Sequence, residues 1–496
     1  MLCAAAALAL SAARAGGFAG DAVTVTVSTT ALSPGAIPAD FVGLSQEVGD
    51  APTFMGRFPS PPNGPFAQLM ANLREASGGG PGPQIRVGGN SADHSLWWPA
   101  GGAPLPPNQS YAITAADFAS YAAALPLWNG SIVVDTSMFL QDNSSWAESH
   151  VRAVAAGLGW SRVAGVEVGN EVENYHDDGQ RPPSWSYSSY VREWEAHVRG
   201  MEAAGMPRGR VQGAVFCCNN SEYNAALANY TQAYARAGVL ASVSYHRYAL
   251  GGCGGKAVTM AELLADGAVD SVAAYVAPFA AAARGAGIPF RIGEGNSVSC
   301  GGRANVSDVF GVALWALDAM LACAAAGVAT FNFHGGPHAA YSPITMLALP
   351  SVVPEVRPLY YAMWAMAGLA ANGARVMAAA TDATNAQIKA WATRDDAGVW
   401  RAVLLHKDPA AAAPAAVVVA PPAPATAPAT LARLRTDSPL GVLARWNVTW
   451  RGQTFDGSQD GRPMGARVEE HVPATAAGGY AFALPPGTAA VLTWGP

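Results

Sequence analysis

Residues 167–173, Glu-Val-Gly-Asn-Glu-Val-Glu, set three acids, Glu167, Glu171 and Glu173, within seven positions, and an apolar run ends there in the pair Asn170-Glu171. A second carboxylate, Glu294, stands among glycines in the stretch RIGEGNS, residues 291–297. Cleaving a glycosidic bond takes two carboxyl groups. One protonates the leaving oxygen while the other attacks the anomeric carbon or activates water. A charge on one also pushes the other toward its protonated form. Glu171 is therefore the candidate acid/base and Glu294 the candidate nucleophile. Asn170 can bind a ring hydroxyl.

Such a pair works only if the fold aims both groups at one point. Eight short apolar runs rich in Val and Ile recur along the chain, at 41–48, 84–90, 131–139, 163–171, 211–216, 243–248, 289–297 and 329–335. Amphipathic helical windows lie between them. Thr114-x-x-Asp117 reads as a capping box, and the window 188–205 ends in Gly205 before Pro207. This alternation predicts an α/β fold, a (β/α)8 TIM barrel. The alternative is a doubly wound open sheet, but no GxGxxG marks a first βα turn. Barrel sites form at the C-terminal ends of the strands. Glu47, Asn90, Asn170-Glu171, His246, Tyr248, Glu294 and His334 all fall at such ends. A lone Glu at a strand end is ordinarily a surface residue. One on the fourth strand and another on the seventh, with Asn directly before the first, point to a site.

Past residue 372 the chain turns to short alternating segments, which read as a C-terminal β-sandwich. VTVTVSTT, residues 23–30, alternates likewise and is expected to join that sheet. The expected divisions are 1–15 as a signal peptide, 16–35 as an N-terminal strand of the β-domain, 36–372 as the catalytic barrel and 373–496 as the β-sandwich. The Pro/Ala stretch 409–428 reads as loop or linker.

Composition narrows the partners. The chain has 496 residues, 51% apolar and 13% charged, with a formal net charge of −6. No basic tract favours nucleic acid or an anionic membrane, and highly sulfated polyanions should be attracted weakly. Ala13-Arg14-Ala15 after a short apolar run resembles a cleavage site, although a positive n-region is missing; the alternative is an Ala-rich helical start. Asn-x-Ser/Thr occurs at Asn108, Asn129, Asn143, Asn219, Asn229, Asn305 and Asn447, where roughly two would fall by chance. A secreted glycoprotein is the expectation, extracellular, in a cell wall, or in a vacuole- or lysosome-like compartment. No bilayer span is expected. With Cys3 in the leader, five cysteines remain, so at least one is left without an internal partner. Disulfides joining loops are expected, and no metal or cofactor. His246 and His334 lack a third ligand at suitable spacing, so hydrogen-bonding roles are expected. Trp97-Trp98 either stack on a sugar or cap the barrel. Glu173 reads as a solvated loop acid.

The stretches IRVGGNSADHSLW, VEVGNEVENY, VSYHRY, FRIGEGNSVSCGG and FNFHGG, followed by Tyr341-Ser342-Pro343, occur in this order across 41–343. Together they resemble glycoside hydrolase family 79, the β-glucuronidase and heparanase-like members of the clan A retaining glycosidases. The resemblance implies a barrel followed by a β-domain and hydrolysis with retention through a covalent glycosyl-enzyme. It makes Glu171 the acid/base and Glu294 the nucleophile, with carboxyls about 5–5.5 Å apart. It implies that Asn170 holds the sugar 2-hydroxyl, that Tyr248 orients Glu294, and that Glu47 and Asn90 meet the far hydroxyls. His334 would also bind in the site. Gly301 and Gly302 would offer N–H groups to a uronate carboxylate near Tyr341. Arg86 would support the nucleophile, while Arg291 would pair with Glu167. In the family a tyrosine commonly stands five residues after the nucleophile; here Ser299 does, which bears on uronate specificity. The expected partner is a glucuronide-bearing glycan, cut by an exo-acting enzyme that releases glucuronic acid or its 4-O-methyl form. Another clan A glycosidase, pentosidase-like, and a non-catalytic carbohydrate-binding relative remain as alternatives.

Overall fold

The computed structural model describes residues 22–98, 104–346, 354–382 and 388–495. The expected signal peptide, 1–15, lies outside the described residues.

Eight parallel strands close into a barrel. In chain order they are Val42–Glu47, Ile85–Gly88, Ile132–Thr136, Val163–Val168, Val211–Phe216, Leu240–Leu250, Phe290–Val298 and Thr330–Gly335. Each pairs with the next in sequence, and the eighth pairs with the first. The runs are largely apolar because helices cover the outside, while the interior also holds buried polar side chains such as Arg86, Asp135, Glu167 and Gln212. The third, fifth and eighth strands have every residue buried.

The helices show why they form. Asp117 closes the expected capping box on Thr114, accepting from its N at 2.7 Å and its Oγ1 at 2.8 Å. The helix Tyr187–Ala203 is capped by Ser186 and buries Tyr190, Trp194, His197, Val198 and Met201, a stripe at helical spacing. The helix Gly311–Ala326 is different, being buried on nearly every side. It lies under the β-domain as well as against the barrel: Asp318, fully buried, accepts from Trp391 Nε1 at 2.8 Å and from Lys407 Nζ at 2.9 Å.

The β-domain is one ten-stranded sheet that curls over a core of its own. Its strands present alternate residues to two places. Val403, Leu405, Ala489 and Val491 join the core shared with the barrel. Ala402, Leu404, Ala490 and Leu492 pack instead against Val25, Val27, Val419 and Phe482. The early strand Val23–Ala31 does enter this sheet, antiparallel to Arg375–Thr381 and parallel to Ala415–Ala420. That last strand corrects the reading of 409–428 as loop throughout. Three successive valines, Val417 to Val419, are buried there, and their burial outweighs the flanking prolines.

Candidate active site

The fourth strand ends in a left-handed turn. Gly169 has φ 76°, and Glu171, a non-glycine, has φ 50°. Gly169 is needed twice over, because a Cβ there would also strike the Tyr175 hydroxyl. Glu171 holds its unusual conformation at a cost of about 1–3 kcal/mol. Its N–H is tied to the Val215 carbonyl at 3.1 Å on the fifth strand. The turn brings the Glu171 carboxylate beside that of Glu294 on the seventh strand. One oxygen of each, with a ring nitrogen of His246, lie within 4.8 Å of one another. His246 Nδ1 is 2.9 Å from Glu171 Oε1.

Glu294 is held on both oxygens. Tyr248 donates its hydroxyl to Oε1 at 2.8 Å, and Arg86 donates Nη1 to Oε2 at 2.7 Å. His334 Nδ1 stands 3.4 Å from the same Oε2. Burial alone would raise this carboxyl. The charges of His334, His246 and Arg86 and the Tyr248 hydrogen bond overcome it and hold the group down at about 2. Burial and the neighbouring carboxylates act on His334 in the opposite sense. Burial lowers it, but Glu294 and Glu47 together raise it above its ordinary value.

Arg86, fully buried, organises the floor. Besides Glu294 it donates to Glu167 Oε2 at 2.7 Å, to Asn170 Oδ1 at 2.8 Å and to Asp135 Oδ2 at 3.4 Å. Glu167 therefore pairs with Arg86, and not with Arg291 as the resemblance implied. Its other oxygen takes Gln212 Nε2 at 2.7 Å, and Arg291 Nη1 turns to Gln212 Oε1 at 3.3 Å. Asn170, locked by Arg86, donates its amide to Asn90 Oδ1 at 3.1 Å.

Glu47, half-buried, receives the Ser91 N–H at 2.8 Å and the Ser91 hydroxyl, and lies 3.6 Å from His334 Nε2. Tyr341 packs its ring against Tyr248 and His334, with centroids 6.0 and 5.8 Å away. The loops after the seventh and eighth strands meet beside it. Gly301 and Gly302 have φ of 86° and 83°, and the Gly301 carbonyl accepts the Ala340 N–H at 2.7 Å. Ser299 is engaged elsewhere: its hydroxyl takes the Gly252 N–H at 3.0 Å and sits 3.4 Å from Cys253 Sγ. Glu47, Arg86, Asn90, Asn170, Glu171, His246, Tyr248, Glu294, His334 and Tyr341 thus form one connected group, whereas Trp97 packs on Phe118 with ring centroids 5.8 Å apart.

Three features were not read from the sequence. Cys253 and Cys300 do join two loops, but Cys217 and Cys218 bond to each other, and Cys323 is free and buried. The adjacent pair stands at the end of the fifth strand. Bonded as a disulfide, its sulfurs offer no thiolate to a metal. Asp93, buried, anchors the turn by accepting from Tyr175 Oη at 2.5 Å, Met138 N at 2.8 Å and Asn170 N at 3.3 Å. Glu173 is not solvated. It is buried, accepts the Cys217 N–H, and has its carboxyl raised well above the usual range by burial and by Glu171.

No helix among the described residues is long and apolar enough to cross a membrane. The seven sequon asparagines are all exposed. No family model matches the chain. The chain is 27% identical over 351 residues to a β-glucuronidase of Aspergillus niger, a match covering 64% of this chain and 62% of that protein. It is 25% identical over 389 residues to a β-glucuronidase of Neurospora crassa, covering 71% and 66%. The chain thus spans somewhat less than two thirds of each of these relatives. Among solved structures, a 4-O-α-L-rhamnosyl-β-D-glucuronidase of Fusarium oxysporum superposes with TM-score 0.77 at 18% identity, covering 95% of this chain and 100% of that one. A family 51 arabinofuranosidase of Xanthomonas axonopodis superposes with TM-score 0.64 at 12% identity, covering 95% and 99%.

Proposed function

We propose that this chain, a β-glucuronidase-like member of the family 79 glycoside hydrolases, removes a terminal glucuronic acid, or its 4-O-methyl form, from a glycan with retention of configuration. The observation that carries the reading is the pairing of Glu171 with Glu294 inside 4.8 Å, one oxygen of each, which matches a double displacement and falls short of the roughly 6.5–9.5 Å that an inverting pair keeps. Glu294, ionised, attacks the anomeric carbon while Glu171 gives its proton to the glycosidic oxygen, and the aglycone leaves as an alcohol. Glu171 then takes a proton from water. The water oxygen attacks the same carbon, the ester to Glu294 breaks, and the sugar departs.

Other residues set the geometry. Arg86 and Tyr248 fix the attacking carboxylate, because each of its two oxygens accepts one donor and keeps a lone pair free. Asn170 binds the 2-hydroxyl. Glu47, Asn90 and His334 take the hydroxyls at the far end, and the Gly301-Gly302 backbone with Tyr341 receives the uronate carboxylate. The relatives named β-glucuronidase support this substrate. The engaged hydroxyl of Ser299 favours a second reading, in which the sugar is a pentose without a carboxylate. A panel of nitrophenyl glycosides at mildly acidic pH decides between them. Glucuronide cleavage with a β-configured first product supports the first reading, pentoside cleavage alone the second, and sugar binding without cleavage a non-catalytic relative. The exposed sequons support secretion; an electrophoretic shift on enzymatic deglycosylation of the native protein tests it.

A further inference from the structure

We propose that the Cys217–Cys218 disulfide is the floor of the leaving-group subsite, an uncharged sulfur platform for the ring attached to the terminal sugar. The proposal rests on the reading of Glu171 and Glu294 given above. One carboxylate oxygen of Glu171 and both sulfurs lie within 4.8 Å of one another. The proton donor thus has the nucleophile as one neighbour and the disulfide as another.

Position around the barrel gives the direction. In the closed strand order the fifth strand, which ends at the disulfide, stands opposite the first, which carries Glu47. Glu47 and His334, on the first and eighth strands, bind the far end of the sugar. The group attached through the anomeric oxygen must then extend toward the fifth strand. What it meets there is Cys218, exposed, with Cys217 buried beneath. Asn174 donates Nδ2 to Glu171 Oε2 at 3.4 Å, to Cys217 Sγ at 3.4 Å and to Cys218 Sγ at 3.7 Å, so one amide ties the platform to the acid. The backbone is shaped to present it. Ala214, Val215 and Cys218 have φ of 72°, 56° and 54°, a conformation that a β-branched residue such as Val215 rarely adopts and that clusters at functional sites. Sulfur is soft and polarisable. It packs well on an arene or on the C–H face of a pyranose, and it carries no charge that would select among acceptors.

The competing role is local: the disulfide could serve only to lock the turn that holds Glu171. The full-length enzyme with Cys217→Ala and Cys218→Ala separates the two, assayed on methyl glucuronide, phenyl glucuronide and a disaccharide of glucuronic acid linked to a pyranose. The expected result is that kcat/KM for at least one ring-bearing substrate falls about two- to tenfold further than for the methyl glycoside. The substrate affected shows which ring the platform takes. Equal losses on all three overturn the proposal. If the double variant does not fold, the folded wild-type enzyme is reduced and capped with iodoacetamide, with capping of both cysteines checked by peptide mass. KM must then rise more for ring-bearing substrates than for the methyl glycoside, and an equal rise overturns the proposal. Should the wild type cleave no glucuronide, the glucuronidase reading has failed. The platform is then tested with the same three aglycones on the pentoside that is cleaved.

Discussion

Arg86 on the second strand and Glu294 on the seventh meet with Nη1 2.7 Å from Oε2, and the guanidinium is wholly shut off from water. The same guanidinium also faces Glu167 and Asp135, and burial with the Glu167 charge raises the Asp135 carboxyl well above its ordinary range. Arg86→Met should therefore cost about 3–5 kcal/mol of stability, since it strands buried carboxylates without a counter-charge. Arg86→Lys keeps the charge but loses the fork, and should fold better while remaining poorly active. Thermal unfolding and kcat/KM of both variants check this. A Met variant as stable as wild type would show that the acids are compensated otherwise.

Glu171→Ala should lose about 10²–10⁴-fold in kcat/KM on substrates whose leaving alcohol needs a proton. The loss should be far smaller for dinitrophenyl glycosides, whose leaving group departs unaided. Equal losses on both would remove Glu171 from the acid role. Glu294→Gln should be inactive on either.

Tyr248→Phe deletes one hydrogen bond to an ionised carboxylate, worth about 1.5–3 kcal/mol. Glu294 lies at about 2 because donors and cations overcome its burial, so losing a donor must move it upward. The acid limb of kcat/KM for an activated substrate should shift to higher pH in the variant. The same displacement links to stability. A carboxyl held below its ordinary 4.5 contributes stability that is complete above that value and lost as pH falls from there toward 2. Glu294→Gln should accordingly show a weaker fall in Tm over that window than wild type.

Glu173 is the opposite case. Its carboxyl is raised, so above pH 4.5 the unfolded chain releases a proton that the folded chain retains, and the folded state loses ground. Glu173→Gln keeps an acceptor for the Cys217 N–H and escapes that penalty. Its Tm should exceed that of wild type by several degrees at neutral pH and converge with it below pH 4.5. A variant less stable at both values would mean that the charge is needed.

The barrel was legible because each strand is a short, largely apolar run followed by a helical window, and strand ends tell where side chains reach the mouth. Glu171 and Glu294 were found that way. What escaped depends on contacts that spacing does not encode. Two arginines, Arg86 and Arg291, both lie on barrel strands, and only the packed interior decides which of them reaches Glu167. Glu173 looked solvated because three acids lie close together; the turn at Gly169 carries one out to the mouth and leaves another beneath it. The Cys217–Cys218 bond follows a stretch in which Ala214 and Val215 are left-handed, and their types give no sign of that.

The seam formed by Val23–Ala31 has a consequence for biosynthesis. That strand is translated ahead of the whole barrel, yet its two neighbours begin at Arg375 and Ala415. It must wait with bare edges while the enclosed domain is completed, and docks only when the late strands emerge. The closing step then stitches start to finish like a drawstring, and a newly made chain stalled before residue 415 would hold a finished reaction centre inside an unfastened coat.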